Sequence, residues 1–254
     1  MTGLARRRLP EERELEDKEA ELASLEMELA DAETKLAELR GELQRFRSLF
    51  QARLARLFAE LDEVRAELAR RRAALASSDE AWSQVHYAER QARESRQAAD
   101  EAADQAPPVE PATEEVKSAF RVAARKVHPD LVTDVAERKR RTEVMARLNA
   151  AYARRDHAAI AKILEEEELR PEGIEGDGVG ERLIRVIRKI DQVRRRLADI
   201  ADEDGLLRAD DMWQLYERYV QDGAGVLEEI EARLRSDLKL AREQLKDFEP
   251  AHDR

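Results

Sequence analysis

Cysteine is absent from the 254 residues, which excludes disulfides, thiol nucleophiles and thiolate metal ligands together. Aromatic residues make up only 4% of the chain, too few large apolar groups for one compact core of this size. No apolar run approaches the ~20 residues needed to span a bilayer. The first residues, MTGLARRRLPEERELE, carry basic side chains but lack the apolar stretch of an export signal. Positive charge is the minority sign. With 46 Lys and Arg against 57 Asp and Glu, the net charge is -11, which disfavours nonspecific nucleic-acid binding along the whole chain. A cytoplasmic protein without a membrane segment is the expectation.

What is abundant is charge, at 41% of residues, together with alanine and leucine. That composition with helical periodicity predicts an all-α protein of long helices and coiled coil. Residues 1–104 read as an N-terminal coiled coil. Leu15, Leu22, Leu29, Leu36 and Leu43 recur every seventh position, and Leu25, Ala32, Leu39 and Phe46 fill the second seam position. After Phe50 the phase slips by four residues, and Leu54, Leu57, Leu61, Val64 and Leu68 carry it on. Glu38, Arg40, Glu60 and Asp62 read as solvated flanks of this stripe. The stripe is most simply a homodimer seam, an intramolecular hairpin being the other arrangement. Ser77 with Glu80 fits a capping box, so a second helix is expected there, either continuing the rod or folding back on it.

Residues 105–112, with Pro107, Pro108 and Pro111, form a linker, because proline lacks a donor and pushes its predecessor out of the α region. Residues 113–168 follow as a separate helical region. Thr113 should cap a helix over 114–127, with Val116, Ala119, Phe120, Ala123 and Val127 on one side. Lys117, Arg121, Arg125 and Lys126 fall largely on other faces. Pro129 ends that helix and leaves His128 and Asp130 in a loop. The next helix opens at the basic run Arg138–Arg141 and buries Val144, Met145, Leu148, Ala151 and Tyr152, so the two should pair as an antiparallel hairpin. A short helix over 156–168 carries Ile160, Ile163 and Leu164.

Residues 114–156 resemble helices II and III of a J-domain, the co-chaperone module of DnaJ-type proteins. His128-Pro129-Asp130 matches the family's signature tripeptide. Phe120 stands where the family usually has Tyr, beside the matching Ala119. Lys117, Arg121 and Lys126 match its basic positions. Met145 and Leu148 lie in the helix III pattern, which Asn149, Ala151 and Tyr152 match directly. The family's first helix, with its Asp-Tyr-Tyr-like start, has no counterpart before Val116. The resemblance implies a non-enzymatic co-chaperone without cofactor or metal. It implies that Lys117, Arg121, Lys126, His128, Pro129 and Asp130 recruit a DnaK-type chaperone and stimulate its ATPase. The loop would project Asp130 toward a partner arginine. Ala119, Phe120, Met145, Leu148, Ala151 and Tyr152 would form the module's core. The coiled coils would set a homodimer and place an unknown client protein. A coiled-coil scaffold or adaptor with a vestigial hairpin is the alternative.

Residues 169–180 form a glycine-rich connector whose spacing fits no phosphate loop. In residues 181–254, Leu183, Val186, Ile190, Val193, Leu197 and Ile200 continue a helical stripe, and Asp202–Gly205 reads as a turn or helix end. A last helix over 209–248 is interrupted at Gly223 and Gly225. These two helices should pair antiparallel, within one chain or between subunits. Trp82 and Trp213 read as seam packing or partner anchors. His86, His157 and His252 are scattered and read as surface residues rather than ligands. His128 and Asp130 lack a nucleophile or pocket that would make them a catalytic set.

Overall fold

A computed structural model describes residues 10–76, 78–104, 111–132, 134–168 and 178–248. Among these residues the chain is all-α, with eight helices, one short 3-10 turn and no strand. In order they are α1 (Pro10–Ala76), α2 (Asp79–Asp104), α3 (Glu114–Val127), the 3-10 turn Pro129–Leu131, α4 (Val135–Ala153), α5 (His157–Glu168), α6 (Val179–Ala209), α7 (Asp211–Asp222) and α8 (Gly225–Lys246). No helix among the described residues is long and apolar enough to cross a membrane.

Short-range chemistry sets most boundaries. Pro10 opens α1, where its missing N–H costs nothing. Ser78 Oγ accepts from the Ala81 N–H at 3.2 Å, one position after the expected cap Ser77, which lies outside the described residues. Thr113 Oγ1 caps α3 by accepting from Val116 N–H, and Asp134 Oδ1 caps α4 by accepting from Glu137 N–H at 2.8 Å. The Asp134 cap starts α4 three residues before the basic run. Most of the proline linker (105–110) and of the glycine-rich connector (169–177) lies outside the described residues. Gly223 ends α7 at φ 73°, a conformation that favours glycine.

One expected break is missing. α6 runs through Asp202–Gly205 without a turn and ends at Ala209. A Cβ added at Gly205 would meet nothing within 4 Å, so this glycine sits on an open face. Its helix penalty of about 1 kcal/mol is outweighed by the burial of Ile200 and the packing of Leu207 on either side.

The helices sort into two compact units, Met1–Glu42 with Val109–Ala209, and Leu43–Pro108 with Asp210–Arg254. In the first unit, Leu15, Leu22, Leu29 and Leu36 of α1 pack against Val186, Ile190, Val193 and Ile200 of α6. A separate core in that unit joins α3, α4 and α5. In the second unit, Phe46, Leu54, Leu61 and Leu68 of α1 pack with Leu227, Leu234, Leu238 and Ala241 of α8, and with partly buried side chains of α7. There α2 folds back along α1. Arg70 Nε donates to Glu89 at 2.8 Å and Ser95 Oγ to Asp62 at 2.6 Å, so the two helices run in opposite senses. Trp213 is buried and donates its indole N–H to Glu217, whereas Trp82 is 46% exposed.

The leucine stripe is therefore covered by the chain's own helices. The apolar faces of α6 and α8, expected to meet each other, each meet α1 instead. Burial keeps the predicted phase: Leu15, Leu22, Leu29, Leu36 and Leu43 are buried at sevens, the stripe resumes at Leu54, and Leu61 and Leu68 follow. The step from Leu43 to Leu54 is one heptad plus the four-residue slip. The flanking charges are not merely solvated. Glu38 pairs with Lys117, Arg40 with Glu203, Glu60 with Arg242, and Asp62 with Ser95.

Candidate functional site

The site is the turn between α3 and α4, and it is built from the hairpin core outward. Phe120 of α3 and Tyr152 of α4 are both nearly inaccessible, and their rings meet at 4.5 Å between centroids with a 49° tilt. Such a tilted pair adds about 1 kcal/mol beyond its area. Leu148 and Ala151 are sealed in the same core, Met145 is buried at its margin, and Ala119 packs against it half-buried. α5 completes this core with Ile160 and Ile163, packed on both α3 and α4. Ala37 of α1 also touches it, a small residue that lets α1 approach the hairpin closely.

Pro129 excludes the helical conformation for His128, which sits at φ -59°, ψ 131° and ends α3. The chain then makes one 3-10 turn. Arg141 of α4 reaches back and donates to the Lys126 carbonyl at 3.2 Å and to the His128 carbonyl at 3.5 Å, satisfying acceptors that the end of α3 leaves open.

The direction of the loop differs from the expectation that it projects outward. His128 is 2% exposed. Its Nδ1 accepts from the Asp130 N–H at 3.2 Å, which places the ring proton on Nε2, 3.1 Å from Glu33 Oε1 of α1. Glu33 Oε1 also accepts from Arg196 Nε of α6 at 2.8 Å, and Arg196 continues to Glu203 at 2.7 Å. Burial pushes the Glu33 carboxyl up, but the hydrogen bonds from His128 and Arg196 and the Arg196 charge outweigh it and hold the group below the usual range. Leu131, the next side chain of the turn, is buried in the α1–α6 core. Gln192 of α6, with its amide oriented by this network, donates to the Asp130 carbonyl at 3.1 Å and accepts from Arg138 Nη2 at 2.5 Å. The loop points inward because α1 and α6 offer it both an apolar slot and a carboxylate. Pro129 and Asp130 remain partly exposed, and the Asp130 carboxylate lies 3.8 Å from His128 Nδ1.

The cations of α3 are engaged in the same way. Lys117 Nζ lies 2.8 Å from Glu38 and 3.3 Å from Glu114, which raises its pKa. Arg121 pairs with Asp31 at 2.6 Å, and Arg125 lies 3.9 Å from Glu26. Lys126 is exposed. The basic run of α4 is mostly structural rather than a free cationic strip. Arg140 forks onto Glu167 of α5 at 2.6 and 2.8 Å and also binds Glu137, while Arg138 donates to the Val132 carbonyl at 3.1 Å. The Arg140 contact, with Arg141 behind it, lowers the Glu137 carboxyl to about 2. Lys139 is the exposed member of the run.

The predicted site residues are thus neighbours, but the structure adds Glu33, Arg196, Gln192 and Leu131, which sequence reasoning did not single out. One signal was present. Glu26 and Glu33 are seven residues apart, as are Asp31 and Glu38, so these acids form two rows along α1, about 140° apart around the helix. The fold defines an all-α helical protein carrying an α3–α4 hairpin whose turn is held by α1 and α6. Compared with known protein families, with curated proteins and with solved structures, the chain finds no match.

Proposed function

We propose that the chain is a J-domain-like co-chaperone that recruits a DnaK-type chaperone and stimulates its ATPase through the His128-Pro129-Asp130 loop. The observation that carries this reading is the antiparallel α3–α4 pair with that tripeptide at its turn, Phe120 against Tyr152 inside, and Lys117, Arg121 and Lys126 along α3. α5 packs where the hairpin needs a third apolar layer, a role the family's first helix would otherwise fill. The loop contributes a fixed backbone and a carboxylate suited to an arginine, and the cations steer toward an acidic surface. The chain itself supplies no reaction chemistry. Its helical units, in a cytoplasmic setting, would hold the hairpin near a client protein.

The test is single-turnover ATP hydrolysis by the cognate DnaK-type partner, with the wild-type chain and with His128→Gln. Stimulation by the wild type that drops at least about tenfold in the variant is expected, the loss of one well-made polar contact being worth that much. Equal rates discard the recruitment mechanism.

A second reading has its own observation. His128 is buried and bonded to Glu33, which Arg196 holds in turn, as a structural residue would be. On that reading the chain is a helical scaffold or adaptor, and the hairpin is a fixed part of it. Retention of a DnaK-type partner on the immobilised chain, lost with Asp130→Asn, counts against the scaffold.

A further inference from the structure

We propose that residues 26–38 of α1 act as an internal competitor that keeps the loop and the cationic face of α3 from an acidic partner surface, and that this clasp must open before the partner engages. The inference rests on the co-chaperone reading and assigns that site its regulation.

Three α1 acids occupy groups that the reading gives to the partner, and a fourth faces a neighbouring cation of α3. Glu38 holds Lys117, Asp31 holds Arg121, Glu26 faces Arg125, and Glu33 holds His128. These contacts are of two kinds. The first three sit at partly exposed side chains, where ion pairs are weak and exchange readily with solvent and with other carboxylates. The fourth is buried, backed by Arg196 from α6 and by Leu131 in the α1–α6 core. An acidic partner can therefore take the outer cations first, while the buried His128 and Leu131 act as the latch. Pro129 and Asp130, partly exposed beside the latch, give the partner its first hold. Apparent affinity is then the intrinsic affinity scaled by the fraction of molecules whose clasp is open.

The experiment uses the full chain. In one variant the clasp is neutralised by Glu26→Gln, Asp31→Asn, Glu33→Gln and Glu38→Gln together. In a second, Glu38→Cys and Glu114→Cys are joined by a short bismaleimide. Both carboxylates flank the one Lys117 ammonium, neither belongs to the assigned partner contacts, and the chain has no other cysteine to react. The readouts are single-turnover ATP hydrolysis by the DnaK-type partner and the rate at which diethylpyrocarbonate modifies His128. The neutralised variant should expose His128 and stimulate hydrolysis about tenfold more than wild type, following the rise in the open fraction. The bridged variant should stimulate less than its unbridged form. If wild type, neutralised and bridged chains all stimulate equally, the clasp is overturned and the co-chaperone reading stands. Should none stimulate although His128 has become reactive in the neutralised variant, the co-chaperone reading falls and the clasp with it. If the neutralised variant does not fold, equal activity of the bridged and unbridged cysteine chains still overturns the clasp.

Discussion

Glu33 shows what a buried charge requires. At 5% exposure its carboxylate has lost nearly all hydration, and two donors, one from the α3–α4 turn and one from α6, replace the water. Its folded pKa is lowered, so the stability it contributes is present above the ordinary value of 4.5 and is lost as pH falls through the lowered folded value. Arg196→Gln removes the nearer donor and its charge, and leaves a buried carboxylate with only His128. The variant should lose about 2 kcal/mol at neutral pH, and the acid limb of its stability curve should move to higher pH. Urea unfolding across pH 3 to 7 measures both. An acid limb unchanged from wild type would show that Arg196 does not set the Glu33 ionisation.

Among the elements, α4 and α5 are joined by a charged staple as well as by Ile160 and Ile163. Arg140 lies between Glu137 of its own helix and Glu167 of α5, and Arg141 adds a second donor to Glu137. The Glu137 carboxyl is lowered to about 2 from 4.5, so its contribution is complete above pH 4.5 and disappears between there and about pH 2. The group is partly solvated, and screening reduces the contribution to the order of 1 kcal/mol. Glu137→Gln should flatten the stability profile in that window and change little at pH 1.5, as read by chemical denaturation. A profile as steep as wild type would remove the Glu137 contact from the account. The elements themselves were largely legible in the chain. Thr113, Pro129 and Gly223 carry their effect within a few residues, and the helices they bound lie close to where the pattern put them. Gly205 misled because a lone glycine on an exposed helical face costs less than the burial beside it returns. The clasp was not legible, because Glu33 meets His128 across 95 positions and Arg196 across 163, and no local rule pairs them.

At the scale of the whole molecule, α1 serves two cores in succession. Its leucines as far as Leu36 face α6, and from Phe46 onward the stripe faces α7 and α8, the four-residue slip falling inside that second core. Seven residues fall 20° short of two full helical turns, so a strict heptad stripe drifts around a straight helix, and an 11-residue step brings it back. Each core should then fail by itself. Leu29 and Leu54 are both buried to 1% or less, one in each unit, and truncating either to alanine should cost ~2–5 kcal/mol. Leu29→Ala should raise amide hydrogen exchange in α6 while α8 keeps its protection, and Leu54→Ala should do the reverse. Because the two leucines share no packing partner, the double variant should lose the sum of the single costs within about 0.5 kcal/mol. Uniform loss of protection in α6 and α8 from either single change would mean that α1 couples the cores into one cooperative unit. In that case an opened clasp at Glu33 would be felt along the entire chain rather than in its own unit.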